Sequence, residues 1–161
     1  MSMQMGAPAS VLRAHSELFA YWAGRRRGAR LPGRADIDPA GFKRLLPLVS
    51  LIDVLREPRA YRVRLAGTEL YGLFGGEITG KRLAEIYDAE VASYWRRELG
   101  KIVDGAKPGV GCHELAWRGA TSVSVLWMRL PLAANGRDVD MILGYDAVLR
   151  PSGGGAGAKA A

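Results

Sequence analysis

Three strand-sized apolar runs, residues 110–117, 122–132 and 139–149, constrain this chain more than any other feature. Only Arg118-Gly119-Ala120-Thr121 separates the first two, and the second link carries Asn135-Gly136. Connections this short join neighbouring strands antiparallel, because a parallel crossover needs about a dozen residues or more. Asn-Gly is the dipeptide that a tight hairpin turn demands, since both of its residues tolerate positive φ. The C-terminal half is therefore expected to be an antiparallel meander.

Two more strands are expected upstream. Residues 48–55 form a continuous apolar run, and residues 61–66 alternate. Tyr61, Val63 and Leu65 fall on one face, and Arg62 and Arg64 on the other. Glu57-Pro58-Arg59 turns the chain between them. Short helices fill the interval before the meander: one capped by Thr68 and stopped at Gly75-Gly76, and one over residues 81–87. A longer helix over residues 89–104 is capped by Asp88 and stopped by Gly105. It turns Val91, Trp95, Leu99, Ile102 and Val103 inward. Two strands, then helices, then three strands make an α+β domain with a five-stranded antiparallel sheet and helices on one face.

A further amphipathic helix is expected ahead of the sheet, over residues 9–27. Val11, His15, Leu18 and Trp22 recur at helical spacing, with Leu12 and Phe19 alongside. Ser10 is its expected cap and Gly28 its stop. Asp38-Pro39 then begins a short helix. The implied organisation is residues 1–7 disordered, 8–47 an N-terminal helical extension, 48–150 the core, and 151–161 a disordered Gly/Ala-rich tail.

Charge is distributed unevenly. The net charge is +7, and residues 1–34 carry six arginines against one acid, Glu17. Arg25, Arg26, Arg27, Arg30 and Arg34 cluster at the end of the first helix. Such a cluster meets nucleic acid, anionic lipid or an acidic partner, or else it solvates and complements the end of a helix. These arginines follow the apolar stripe rather than precede it, which argues against a secretory signal. No run approaches the length of a membrane helix. One cysteine, Cys112, precludes an internal disulfide and fits a reducing compartment, so a cytoplasmic location is expected.

The order and lengths of these elements resemble the PAS fold. Residues 61–71, YRVRLAGTELY, look like its second strand entering its first short helix. Residues 75–87, GGEITGKRLAEIY, look like the Gly-centred loop and short helix before its long helix. The chain is most similar to a compact group of single-domain PAS proteins common in proteobacteria. That group shares an N-terminal helix with Trp, an LPxRxDIDP segment and an RLAGT turn. Here those segments are residues 31–39, LPGRADIDP, and residues 64–68, RLAGT. The resemblance spans about residues 12–150.

Apparent catalytic motifs dissolve on inspection. Gly75-x4-Gly80-Lys81 lacks the Ser or Thr that a P-loop needs next, where Arg82 stands. Arg26-xxx-Arg30 followed by Asp36-x-Asp38 only faintly resembles the cyclic-di-GMP motif of PilZ domains. Cys112 and Glu114 share one strand face while His113 takes the other, so they form no triad. No metal-ligand set is present. The expectation is a non-enzymatic module.

The resemblance implies a cavity between the inner sheet face and the helices. Its expected lining is Arg64, Tyr87, Tyr94, His113, Ser124 and Trp127, with a small metabolite such as an organic acid as ligand. Arg64 is expected to meet either a ligand carboxylate or an acid of this chain. Haem is not expected, because the long helix carries no His. Flavin is not expected either, because no Asn-Cys-Arg motif precedes that helix. The N-terminal helix, through Val11, Leu12, Leu18, Phe19 and Trp22, is expected to form a homodimer or to bind a regulatory partner protein. The alternatives are a dimeric scaffold with a closed cavity, and a basic N-terminal region that binds nucleic acid or anionic membrane.

Overall fold

A computed structural model describes residues 7–114 and 124–149. The five strands are β1 (Val49–Leu55), β2 (Ala60–Ala66), β3 (Gly109–Glu114), β4 (Ser124–Leu132) and β5 (Met141–Leu149). They form one antiparallel sheet in the order β2-β1-β5-β4-β3. The meander read from the sequence is present, with β5 also pairing back to β1. The expected turn at Arg118–Thr121 and the expected disorder of residues 1–6 and 151–161 lie outside the described residues.

The helices divide between the two faces. Helices α2 (Thr68–Phe74), α3 (Leu83–Ile86) and α4 (Ala89–Gly105) cover the inner face. Asp88 caps α4 by accepting from the Val91 N–H at 2.9 Å. Ala92, Trp95, Leu99, Ile102 and Val103 are the buried stripe of α4. Val91, read as inward, is only half-buried, because Ala92 takes the central position.

Helix α1 (Ala9–Gly24) crosses the outer face. It begins one residue before the expected Ser10 cap and ends before the arginine cluster. Ala14, His15, Leu18 and Trp22 are its buried residues. Trp22 Nε1 donates to the Pro131 carbonyl at 2.9 Å, and His15 Nε2 lies 3.1 Å from the Leu126 carbonyl. Both acceptors sit on β4, so these two bonds fix where α1 lies on the sheet. A 3-10 segment, Pro39–Leu48, leads into β1, and the Asp38 side chain caps it through the Ala40 N–H.

Candidate functional site

Two places on this scaffold concentrate chemistry, one on each face of the sheet. The inner one is built on β4 and β5. Arg129 and Asp146 are only 3% exposed, yet each stands in an otherwise apolar strand. Arg129 Nη2 donates to Asp146 Oδ1 at 2.9 Å and to Oδ2 at 3.2 Å. Its Nη1 donates to the Met128 and Tyr145 carbonyls at 3.0 and 3.3 Å. The guanidinium carbon lies 4.7 Å from the Trp95 ring centre and 5.8 Å from that of Trp127. A charge this deep persists only when paired and hydrogen-bonded.

Two glycines make room for this cluster. A Cβ on Gly144 would come within 2.6 Å of Ser50 Oγ and 3.1 Å of Arg129 Nη1. A Cβ on Gly111 would come within 2.5 Å of the Trp127 ring. Glycine inside a strand marks such close approaches. Four aromatic side chains and His113 complete the wall. Trp127 Nε1 donates to Tyr94 Oη at 2.9 Å, Tyr94 stacks on His113 at 5.4 Å, and Tyr87 stacks on Trp95 at 6.3 Å. Burial holds the His113 imidazole below its ordinary pKa, with Asp146 opposing that shift and Arg129 adding to it.

Of the residues expected around the inner cavity, Tyr87, Tyr94, His113 and Trp127 do come together. Arg64 and Ser124 do not. Arg64 alternates onto the outer face with Arg62, opposite Val63 of the inner wall; there Leu51 pairs with Leu65 but Ile52 with Val63, so Arg64 is also the extra residue of a β-bulge on β2. Its Nε donates to Asp53 Oδ1 at 3.0 Å, beside Arg62, and its side chain is 57% exposed. The same bulge turns Leu65 outward. Ser124 shares the strand parity of Leu126 and Met128, which places it on the outer face.

Arg129, Asp146 and Trp95 complete the site, and the reading of cavity residues omitted them. A single charge of each sign, isolated within the runs VLWMRLPL and ILGYDAVL, was the available signal. The space enclosed among Ser50, Leu70, Phe74, Tyr87, Trp95, Arg129 and Asp146 is about 20 Å³.

The outer site is an open groove of about 870 Å³ between α1 and the β3–β4 edge of the sheet. Leu12, His15 and Phe19 form one wall, and Val110, Cys112, Leu126 and Met128 form the floor. Leu12, Phe19 and Val110 are 40%, 42% and 59% exposed. Leu18 and Trp22, expected at a dimer surface, are instead buried against the chain's own sheet, and Val11 is half-buried. An amphipathic stripe read from sequence cannot say which sheet it will cover.

The arginine cluster is largely tied down. Arg26 and Arg34 donate to the Ala29 and Ile37 carbonyls, and Arg30 donates to the Asn135 carbonyl at 2.7 Å. Arg25 lies over Tyr21, and Arg27 faces Asp36. Among the described residues, no group of three His, Cys, Asp or Glu side chains could hold a metal ion. No helix among them is long and apolar enough to cross a membrane.

A five-stranded antiparallel sheet with this helical insert matches a family model described as a PAS domain, over residues 11–146. The chain belongs to the PAS domain family. Among solved structures, this PAS domain is similar to the LOV protein of Rhodobacter sphaeroides. That match has 15% identity, covers 73% of this chain and 71% of that one, and has a TM-score of 0.49. It is also similar to the d2 variant of RsLOV, at 14% identity, with 73% and 72% coverage and a TM-score of 0.50. No curated protein matches it. At such identity the likeness concerns the fold. It nevertheless overturns the expectation about flavin: the matched structures are LOV proteins, which bind flavin, so the missing Asn-Cys-Arg motif does not set this fold apart from flavin.

The PAS fold makes this chain a sensory or interaction module.

Proposed function

We propose that this PAS domain acts without catalysis, by pairing with a second copy of itself and presenting the paired surface to a partner protein. One observation carries the reading. Of the five large apolar side chains left exposed among the described residues, three (Leu12, Phe19 and Val110) line the outer groove. Scattered exposed apolar residues need no explanation, whereas a contiguous set marks a contact surface.

The chemistry of the groove favours a second copy. Among the described residues, no Asp, Glu, Lys or Arg lines it. A chain of net charge +7 therefore offers here a surface free of its own repulsion. Leu12 and Phe19 stand two turns apart on one helix face. A two-fold contact sets that stripe of each copy into the groove of the other, so one patch serves both sides.

Sedimentation velocity tests the reading. The unaltered chain is expected to sediment as a dimer, and the Leu12→Gln/Phe19→Gln variant as a monomer with an unchanged circular dichroism spectrum. A variant that stays dimeric, or an unaltered chain that is monomeric at every concentration, would refute it. Leu18 is unsuitable for this test, because it is fully buried and its loss would unfold the domain.

A further inference from the structure

We infer that the arginines of residues 25–34, seated on the β4–β5 hairpin, form a rigid platform that docks an acidic segment of a partner protein, with Arg25, Arg27, Arg30 and Arg34 pairing with its carboxylates. The inference rests on the reading that this PAS domain acts through a partner protein, and it does not depend on self-association.

The first ground is the way the segment is held. Residues 25–34 carry five arginines and no acid. Helix α1 ends at Gly24, and the Arg30 N–H then donates to the Arg27 carbonyl at 3.1 Å. That bond closes a turn in which Gly28 stands at φ 63°. Two further backbone bonds seat the segment on the hairpin. The Leu31 N–H donates to the Gly136 carbonyl at 2.8 Å, and the Ala133 N–H donates to the Pro32 carbonyl at 2.9 Å. The Arg30 guanidinium lies against Gly136, where a Cβ would come within 2.7 Å of it. Arg137, with its side chain 86% exposed, extends the basic surface from the hairpin side.

The second ground is that these cations are fixed without being neutralised. Arg30 and Arg34 each donate through one guanidinium nitrogen to a carbonyl, which carries no net charge. A guanidinium has five N–H donors, so one such bond sets its position and leaves the others for a partner. Arg27 faces Asp36 across 3.9 Å, beyond hydrogen-bond distance, and its side chain is 84% exposed. Water weakens a pair of that kind. A side chain already held in place loses less freedom when a partner docks.

The surroundings select the class of polyanion. Asp36 and Asp38 follow the arginines along the chain, and Asp138 and Asp140 stand on the hairpin. A nucleic-acid backbone carries a charge at every phosphate and would meet these carboxylates as well as the arginines. A polypeptide can set carboxylates opposite the arginines and neutral residues opposite the aspartates, which also fixes its register. Anionic membrane fits less well. The turn tip is Gly28-Ala29, and none of the large exposed apolar side chains among the described residues falls within residues 25–34. Binding to a lipid surface draws on such side chains. All five cations of the segment are arginines, whose planar fork matches a carboxylate through two parallel bonds.

The test uses a fluorescein-labelled peptide of alternating Glu and Gly, followed by fluorescence anisotropy. The comparison probes are a labelled oligothymidylate of equal net charge and vesicles of phosphatidylserine and phosphatidylcholine. The full chain is expected to bind the peptide saturably and more tightly than either comparison probe. Arg25→Gln/Arg27→Gln removes two exposed forks that bond no carbonyl among the described residues, so the fold should survive by circular dichroism. That variant should bind the peptide about ten-fold more weakly. Arg96→Gln/Arg97→Gln removes the same charge from the exposed side of α4 and should change binding by less than about two-fold. The Leu12→Gln/Phe19→Gln variant should bind the peptide as the unaltered chain does, so a failure of self-association would leave this result standing. The inference is overturned if the peptide does not saturate, if the two arginine pairs weaken binding equally, or if the oligothymidylate or the vesicles bind more tightly than the peptide.

Discussion

The buried ion pair of Arg129 and Asp146 makes a sharp prediction about stability. Both side chains are 4% exposed. Replacing Asp146 with Leu leaves the guanidinium with only the Met128 and Tyr145 carbonyls as acceptors. Breaking a buried pair by removing one partner costs about 3–5 kcal/mol. The two remaining carbonyl bonds favour the lower end, about 3 kcal/mol, or a fall in Tm of about 12 °C for a domain of this size. Arg129→Met strands the carboxylate instead and should cost at least as much. The double variant Arg129→Met/Asp146→Leu removes both charges and fills the space with apolar atoms. It should recover to within about 1 kcal/mol of the unaltered chain, because desolvating a buried pair consumes most of its attraction. Urea unfolding followed by circular dichroism measures all four proteins. The reasoning fails if either single substitution costs less than about 1 kcal/mol, or if the double variant loses the sum of the two.

Gly111→Ala should cost about 2 kcal/mol, because the new methyl displaces the Trp127 ring and strains its bond to Tyr94. Thermal melts and tryptophan fluorescence would register both effects, and an unchanged Tm would contradict the packing described. Burial lowers the pKa of His15 as well as His113 from the ordinary 6.5. The unfolded chain therefore takes up protons near that pH that the folded one refuses. This contribution to stability is complete above about pH 6.5 and is lost as pH falls toward the lowered folded values. Tm should decline from about pH 7.5 to about pH 5.5, and the decline should be shallower in His15→Gln/His113→Gln; equal slopes in the two proteins would rule the histidines out as its cause.

The candidate sites were only partly legible in the sequence. Tyr87, Tyr94, His113 and Trp127 could be placed near one another because helix and strand parity point them inward. Arg64 was legible too, but as an outer residue: alternation in YRVRLAG sets it on the face of Arg62, where both meet Asp53, and opposite Val63, which lines the inner space. Arg129 and Asp146 were visible as isolated charges in apolar strands. Their pairing was not, since it depends on the register that sets Trp127 opposite Asp146. Leu18 and Phe19 read as one stripe, yet the angle at which α1 crosses the sheet buries the first and leaves the second exposed.

The sequence by itself determined the elements and their order. Hairpin links too short for a crossover forced the antiparallel meander, and side-chain periodicity marked the helices and strands, because both are local properties of a chain. Tertiary structure alone decided which faces met. The strand register, the β2 bulge and the seating of α1 on β4 through Trp22 and His15 depend on contacts between residues far apart along the chain. Those contacts brought two opposite charges together inside the protein and left an apolar groove open outside it, and no local pattern encodes either result.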